Sequence, residues 1–142
     1  MSKVILIFGL PGSGKTTLAQ QLAIELESRA RIFEWFNADI VRKQFNDWDF
    51  SREGRIRQAE RMRDLANASK AEFVVVDFVA PLREMRVILN ADIVIWVDTI
   101  TEGRFADTNA MFESPDCVDF TVIKQDAVNV APVIVKHILG EK

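Results

Sequence analysis

The chain has a single cysteine, Cys117, in 142 residues. It cannot form an internal disulfide, so a reducing, cytoplasmic setting is expected. No apolar run approaches the ~18 residues that a membrane span requires. The opening MSKVILIFGL holds one lysine and a short apolar run before a glycine loop. That run is too short for a secretory core and lacks a small-residue cleavage site, so no export signal is expected. Basic excess is missing as well: 18 Lys and Arg stand against 21 Asp and Glu, a net charge of −3. The chain therefore carries no global footprint for nucleic acid. Internal repeats, low-complexity tracts and linker-like stretches are also lacking. What is there is 49% apolar and 27% charged residues. That balance excludes a disordered chain and is sufficient for one packed domain over residues 1–142.

Apolar runs at 4–8, 32–36, 73–78 (FVVVDF), 93–97 (IVIWV) and 120–123 (FTVI) read as strands. Between them lie helical patterns. Residues 15–29 carry Leu18, Leu22 and Leu26 at i+4 spacing, with Ala19 and Ala23 beside them. Residues 51–70 and 82–90 read as helices, and the last segment puts Ala127, Val130, Ala131, Ile134 and Ile138 on one face. Pro132 lies within that face, so the last helix is expected to begin late or to kink there. Alternating strands and helices predict an α/β protein, a three-layer α/β/α sandwich with a mostly parallel five-stranded sheet. In such sheets ligands gather at the carboxyl ends of the strands.

Three of the six glycines fall between Gly9 and Gly14. Gly9-Leu10-Pro11-Gly12-Ser13-Gly14-Lys15-Thr16 satisfies G-x-x-x-x-G-K-[ST] and sits between a buried strand and an amphipathic helix, the setting of a P-loop NTPase fold. Its backbone N–H groups and the helix N-terminus form a cradle for phosphate oxygens. Lys15 adds a charge that reaches the β- and γ-phosphates, the Thr16 hydroxyl can ligate Mg²⁺, and Thr17 can contact the α-phosphate. The expected ligands are thus ATP and Mg²⁺.

Two acidic residues follow strands: Asp39 after the second and Asp77 at the end of the third. Asp77 reads as the magnesium aspartate, and Asp39 as the residue that orients the substrate or accepts its proton. An alternative for Asp39 is a helix N-cap, and the two roles are exchangeable. Seven of the 18 basic residues lie between Arg42 and Arg63. Most read as a solvated helix face, with Glu53–Arg57 an i,i+4 pair and Glu60 and Asp64 balancing Arg61 and Arg63. Arg55 differs: at 100° per residue it projects with Ala59, Met62 and Ala66. A guanidinium on an apolar stripe calls for an anionic ligand or a structural carboxylate partner, with the ligand favoured. Arg42 can face the same cleft. Phe45, Trp48 and Phe50 either stack on a base or join the core. Arg104, in a short lid at 101–109, either reaches the transferring phosphoryl group or pairs with Glu102 or Asp107. His137 has no expected role, and Cys117 no nucleophilic one.

These residues resemble the adenylylsulfate kinases, which phosphorylate the ribose 3′-hydroxyl of adenosine 5′-phosphosulfate. The family's glycine loop is matched by GLPGSGKT, and its D-G-D-N-x-R by Asn37-Ala38-Asp39-Ile40-Val41-Arg42. Its L-N is similar to Phe45-Asn46, and its G-F-S-x-x-D-R to Asp49-Phe50-Ser51-Arg52-Glu53-Gly54-Arg55. Its F-I-S-P-x-R is echoed by Phe78-Val79-Ala80-Pro81-Leu82-Arg83, and its late Y-E-x-P by Phe112-Glu113-Ser114-Pro115. The resemblance implies that Arg42, Phe50 and Arg55, with Phe78 and Pro81, hold an adenylate substrate, and that the protein serves sulfate assimilation. The chain departs from the pattern in four places. Asn37 replaces the first aspartate of D-G-D, and Gly54 the aspartate of D-R. Asp77 stands where the family has a small residue. The lid at 98–119 lacks the family's K-G-L-Y-K-K-A and F-T-G-I segments.

The expected function is an ATP- and Mg²⁺-dependent kinase acting on a small, anionic, nucleotide-like acceptor, with adenylylsulfate named first. A nucleoside, a nucleotide or a polynucleotide 5′-end stays open as acceptor, and a homodimer as assembly. So does a non-catalytic nucleotide switch, although Val97-Asp98-Thr99-Ile100 carries no N-K-x-D guanine motif.

Overall fold

The computed structural model describes residues 2–141. Its elements are β1 (Lys3–Phe8), α1 (Lys15–Ser28), β2 (Phe33–Asn37), α2 (Ala38–Phe45), α3 (Arg52–Ala68), β3 (Phe73–Asp77), α4 (Arg83–Leu89), β4 (Ile93–Val97), α5 (Ala106–Met111), β5 (Phe120–Val122) and α6 (Ala127–Leu139). The strands form one parallel sheet in the order β2-β3-β1-β4-β5. Crossover helices cover both faces, as a parallel sheet requires.

Alternation along β1 divides the core. Val4, Leu6 and Phe8 point to one face, where they meet Val41 of α2, Met62 of α3 and Met85 of α4. Ile5 and Ile7 point to the other, against Leu18, Leu22 and Leu26 of α1 and Ile134 of α6. The central strands β1 and β3 are apolar at nearly every position because neither face meets water. The Leu18–Leu22–Leu26 stripe expected from the sequence is the buried face of α1.

Three details depart from the sequence reading. Helix α2 begins directly at the end of β2, and its N-cap is Asn37, not Asp39. The Asn37 Oδ1 accepts from the backbone N–H groups of Asp39 and Ile40 at 3.0 and 3.1 Å. Helix α5 lies within the lid at 98–119, where the sequence predicts no helix. At six residues and without a side-chain cap, it is too short to show a periodicity. Helix α6 starts at Ala127 and runs through Pro132, so it does not begin late. Among the described residues, no helix is long and apolar enough to cross a membrane. Cys117 is exposed, and His137 sits on α6 with its ring edge-on to Phe120 at 5.2 Å.

Parallel pairing gathers the carboxyl ends of all strands on one edge. Residues 9–14, α2, residues 78–82 and the α5 segment all leave the sheet there, and Asn37 lies opposite Asp77 in register.

Candidate active site

The loop after β1 is shaped by close approach. A Cβ on Gly9 would lie 2.5 Å from the Val97 carbonyl oxygen at the end of β4. Gly14, the N-cap of α1, takes φ 104°, a left-handed conformation open to glycine at little cost. Lys15 is buried, and its ammonium donates to the Leu10 carbonyl at 3.1 Å. Burial lowers its pKa, opposed by the nearby charges of Asp77 and Asp39. A buried ammonium with one neutral partner is a fit for a phosphate oxygen. Two residues not singled out in the sequence brace the loop. The Thr99 hydroxyl donates to the Ser13 carbonyl at 2.6 Å, and the Gln125 amide to the Gly12 carbonyl at 3.2 Å. They lie two and three residues beyond the ends of β4 and β5. The strand-end rule would have found them.

Asp77 is buried beside this loop. One of its oxygens accepts from the Thr16 hydroxyl at 2.8 Å and from the Asn37 amide at 2.9 Å. Burial raises its pKa, and Thr16, Lys15 and Asn37 oppose the rise. A hydroxyl and a carboxylate already side by side form a hard oxygen donor pair. No group of three His, Cys, Asp or Glu gathers among the described residues. The pair therefore suits a small dication that takes its remaining ligands from phosphate and water. Asp39 is exposed on the wall of the same cavity.

That cavity, about 780 Å³, extends from the glycine loop to a second cationic region. Arg42 and Arg55 are 3% and 5% exposed. Arg42 donates to the carbonyls of Asp47 and Asp49 at 3.0 and 3.2 Å. Arg55 donates to the Phe50 carbonyl at 2.9 Å and to the Thr108 hydroxyl of α5 at 3.2 Å. Among the described residues neither pairs with a carboxylate, and burial lowers the pKa of both. Asp47 and Asp39 act on Arg42, and Asp107 on Arg55, only from beyond ion-pair distance, so both arginines line the cavity with charge that an anion would relieve. The Phe50 ring lies 4.4 Å from the Arg42 guanidinium and 5.4 Å from that of Arg55.

Trp48, Phe50 and Phe105 are about half exposed and line the cavity, so none of them is core. Phe45 is not core either, but it packs on Arg61 at 4.5 Å, outside the cavity. Phe78 and Pro81 line the cavity as buried residues, and Arg104 lines it from the lid, unpaired with Glu102 or Asp107. Of the residues singled out in the sequence, Pro11, Gly12, Gly14, Lys15, Thr16, Thr17, Asp39, Arg42, Phe50, Arg55, Asp77, Phe78, Pro81 and Arg104 thus meet at one cavity. Gly9 and Ser13 do not line it. They support the loop from behind, with Ser13 fully buried.

The expected ion pairs of α3 are largely replaced. Asp47, not Glu53, pairs with Arg57 at 2.8 Å, and it also pairs with Arg61 at 2.8 Å, while Asp49 joins Arg57 at 3.1 Å. Only Arg63–Asp64 forms as expected, at 3.0 Å. The cause is the connection between α2 and α3, which folds back onto α3. A Cβ on Gly54 would lie 2.2 Å from the Asp49 carbonyl oxygen, so only glycine admits this path. The path in turn presents the two carbonyls that hold Arg42. Arg86 went unnoticed in the sequence. It lies 4.4 Å from the Phe8 ring and donates to the carbonyls of Ala80, Pro81 and Glu113. Burial pushes its pKa down to about 10. Arg83 turns away from the cavity, to Ser114 and Asp116.

Comparison with known proteins agrees with this geometry. The sequence model of the family described as adenylylsulphate kinase matches residues 1–100. The adenylyl-sulfate kinase of Chloroflexus aurantiacus is 37% identical over 86 residues, 58% of this chain and 46% of that protein. A protein of Aeropyrum pernix named "Probable adenylyl-sulfate kinase" is 35% identical over 86 residues, 58% of this chain and 47% of its own length. The matched stretch thus spans about half the length of these curated relatives. The structure of the APS kinase of Mycobacterium tuberculosis in complex with AMPPNP and APS superposes with a TM-score of 0.81 at 18% identity, over 97% of this chain and 98% of that one. This last likeness confirms the five-stranded P-loop fold.

Proposed function

The chain belongs to the adenylylsulphate kinase family, and we propose that it transfers the γ-phosphoryl group of ATP to the 3′-hydroxyl of adenosine 5′-phosphosulfate (APS). The observation that carries this reading is one cavity that joins the glycine loop to two buried arginines, neither of which pairs with a carboxylate among the described residues. One end suits a triphosphate and the other an anionic acceptor.

The loop N–H groups and Lys15 hold the phosphates against the N-terminus of α1. Thr16 and Asp77 would hold Mg²⁺, which when bound neutralises charge on the β- and γ-oxygens. Asp39 stands at the start of α2 and accepts the proton of the attacking hydroxyl. Arg42 and Arg55 grip the acceptor's phosphosulfate through charge-assisted hydrogen bonds, and Phe50 and Trp48 flank its base. Phe78 and Pro81 close the pocket on the sheet side. Arg104 reaches from the lid to the charge that spreads over the transferring group. Residues 1–142 act in this reading as one kinase domain in the cytoplasm.

The test is transfer of label from γ-labelled ATP, with Mg²⁺, to a panel of APS, nucleosides, nucleotides and 5′-hydroxyl oligonucleotides. Label on the 3′-position of APS is expected. Label on another panel member alone would overturn the acceptor but keep the kinase. ATP binding with no transfer to any member would leave a nucleotide-binding switch.

A further inference from the structure

Asn37 and Asp77 end neighbouring strands and face each other in register. The Asn37 Nδ2 donates to the Asp77 Oδ2 at 2.9 Å and lies 3.4 Å from the Thr16 hydroxyl, which donates to that same oxygen at 2.8 Å. A side chain at position 37 therefore reaches the hydroxyl that Asp77 reaches. The orientation of the carboxamide is set at its other end. Its Oδ1 accepts from two N–H groups of α2, which turns the NH₂ toward Asp77. The D-G-D-N-x-R motif that residues 37–42 resemble has an acid where this chain has Asn37. This chain carries its acid across the strand pair.

We propose that positions 37 and 77 form one acid–amide pair, in which a single carboxylate holds the dication beside Thr16 and the partner amide aims it. Asn37 is then a positioning residue for Asp77, and the two can trade places. Either order preserves the hydrogen bond between them and leaves one negative charge. Either order also preserves the helix cap, because aspartate and asparagine cap α2 equally well. Two amides would leave no charge, and two carboxylates would repel at this distance. The inference rests on reading the site as one for a magnesium nucleotide.

The experiment measures ADP affinity by calorimetry, with and without Mg²⁺, beside the melting temperature of each variant. In the wild type, Mg²⁺ tightens ADP binding. Asp77→Asn is expected to lose that enhancement, by roughly tenfold for a lost charged contact, while its Mg²⁺-free affinity does not fall, because a carboxylate that repels the phosphates is gone. Asn37→Asp combined with Asp77→Asn is expected to recover most of it. Asn37→Ser keeps an acceptor for the α2 cap but is too short to reach Asp77. It should melt near the wild type and still lose most of the enhancement, a loss that a purely structural role would not produce.

The proposal is overturned if the double exchange folds and binds ADP yet shows no more Mg²⁺ response than Asp77→Asn. It is also overturned if Asn37→Ser keeps the full response, and that variant decides the matter should the double exchange not fold. A wild type that binds ADP without any response to Mg²⁺ would remove the magnesium reading and this inference together. A wild-type response that Asp77→Asn loses and the exchange fails to restore would remove the inference alone.

Discussion

At the loop end of the cavity the groups proposed to hold phosphate are contiguous in the chain, from Gly9 to Thr17. They are mostly backbone, and the Lys15 ammonium donates to the Leu10 carbonyl of the same loop. At the other end, Arg42, Phe50 and Arg55 come from α2, a loop and α3. Their guanidinium groups are held by carbonyls and one hydroxyl, and by no carboxylate among the described residues. A third set of side chains, Asp47, Asp49, Arg57 and Arg61, holds the holders. The first end is built from one stretch of chain, with Thr99 and Gln125 as its braces. The second depends on tertiary packing, so distant substitutions reach it.

The largest expected effect is on the loop. Lys15→Ala should lower turnover by roughly a hundredfold or more and weaken ATP, while APS binding, measured by calorimetry, holds. Arg42→Ala should do the reverse. kcat/KM for APS should fall by about tenfold or more for the loss of a charged donor, at unchanged ATP affinity. Arg42→Lys should not restore it, because an ammonium lacks the planar fork.

Gly54→Ala tests the dependence on packing. The new methyl would meet backbone at 2.2 Å, so a loss of about 1–3 kcal/mol in denaturant stability is expected, as for other overpacked sites. APS KM should rise with it and ATP KM should not. Equal loss at both ends would break the contrast between them.

The smallest effect is in acid. Arg57 and Arg61 hold the Asp47 carboxyl well below its ordinary 3.8. A lowered carboxyl pKa means that the folded state binds the proton less readily than the unfolded chain. The stability from Asp47 is therefore fully present above pH 3.8 and is lost as pH falls toward the lower folded value. Melting temperature against pH should fall less steeply in this range for Asp47→Asn than for the wild type.

What could be read in the sequence follows the same contrast. The loop, the buried strands and the α1 stripe were legible because their signals are local and periodic. Arg55 was legible because helix geometry put a charge on an apolar face. The partners of Arg57 and Arg61 were not, since Glu53, Glu60 and Asp64 all lie nearer in the chain, and only the fold-back over Gly54 brings Asp47 closer. Asn37 was visible as a departure from a motif, but its contact with Asp77 exists only across the sheet. Arg86 binds carbonyls, which leave no mark in a sequence.

The most direct test of the central claim is a calorimetric titration of APS into protein saturated with AMPPNP, repeated with Arg55→Ala. A cavity with two distinct anion ends predicts one APS per chain in a ternary complex, and loss of APS affinity in the variant at unchanged AMPPNP affinity. Displacement of AMPPNP by APS, or an Arg55→Ala variant that binds APS as the wild type does, would contradict it.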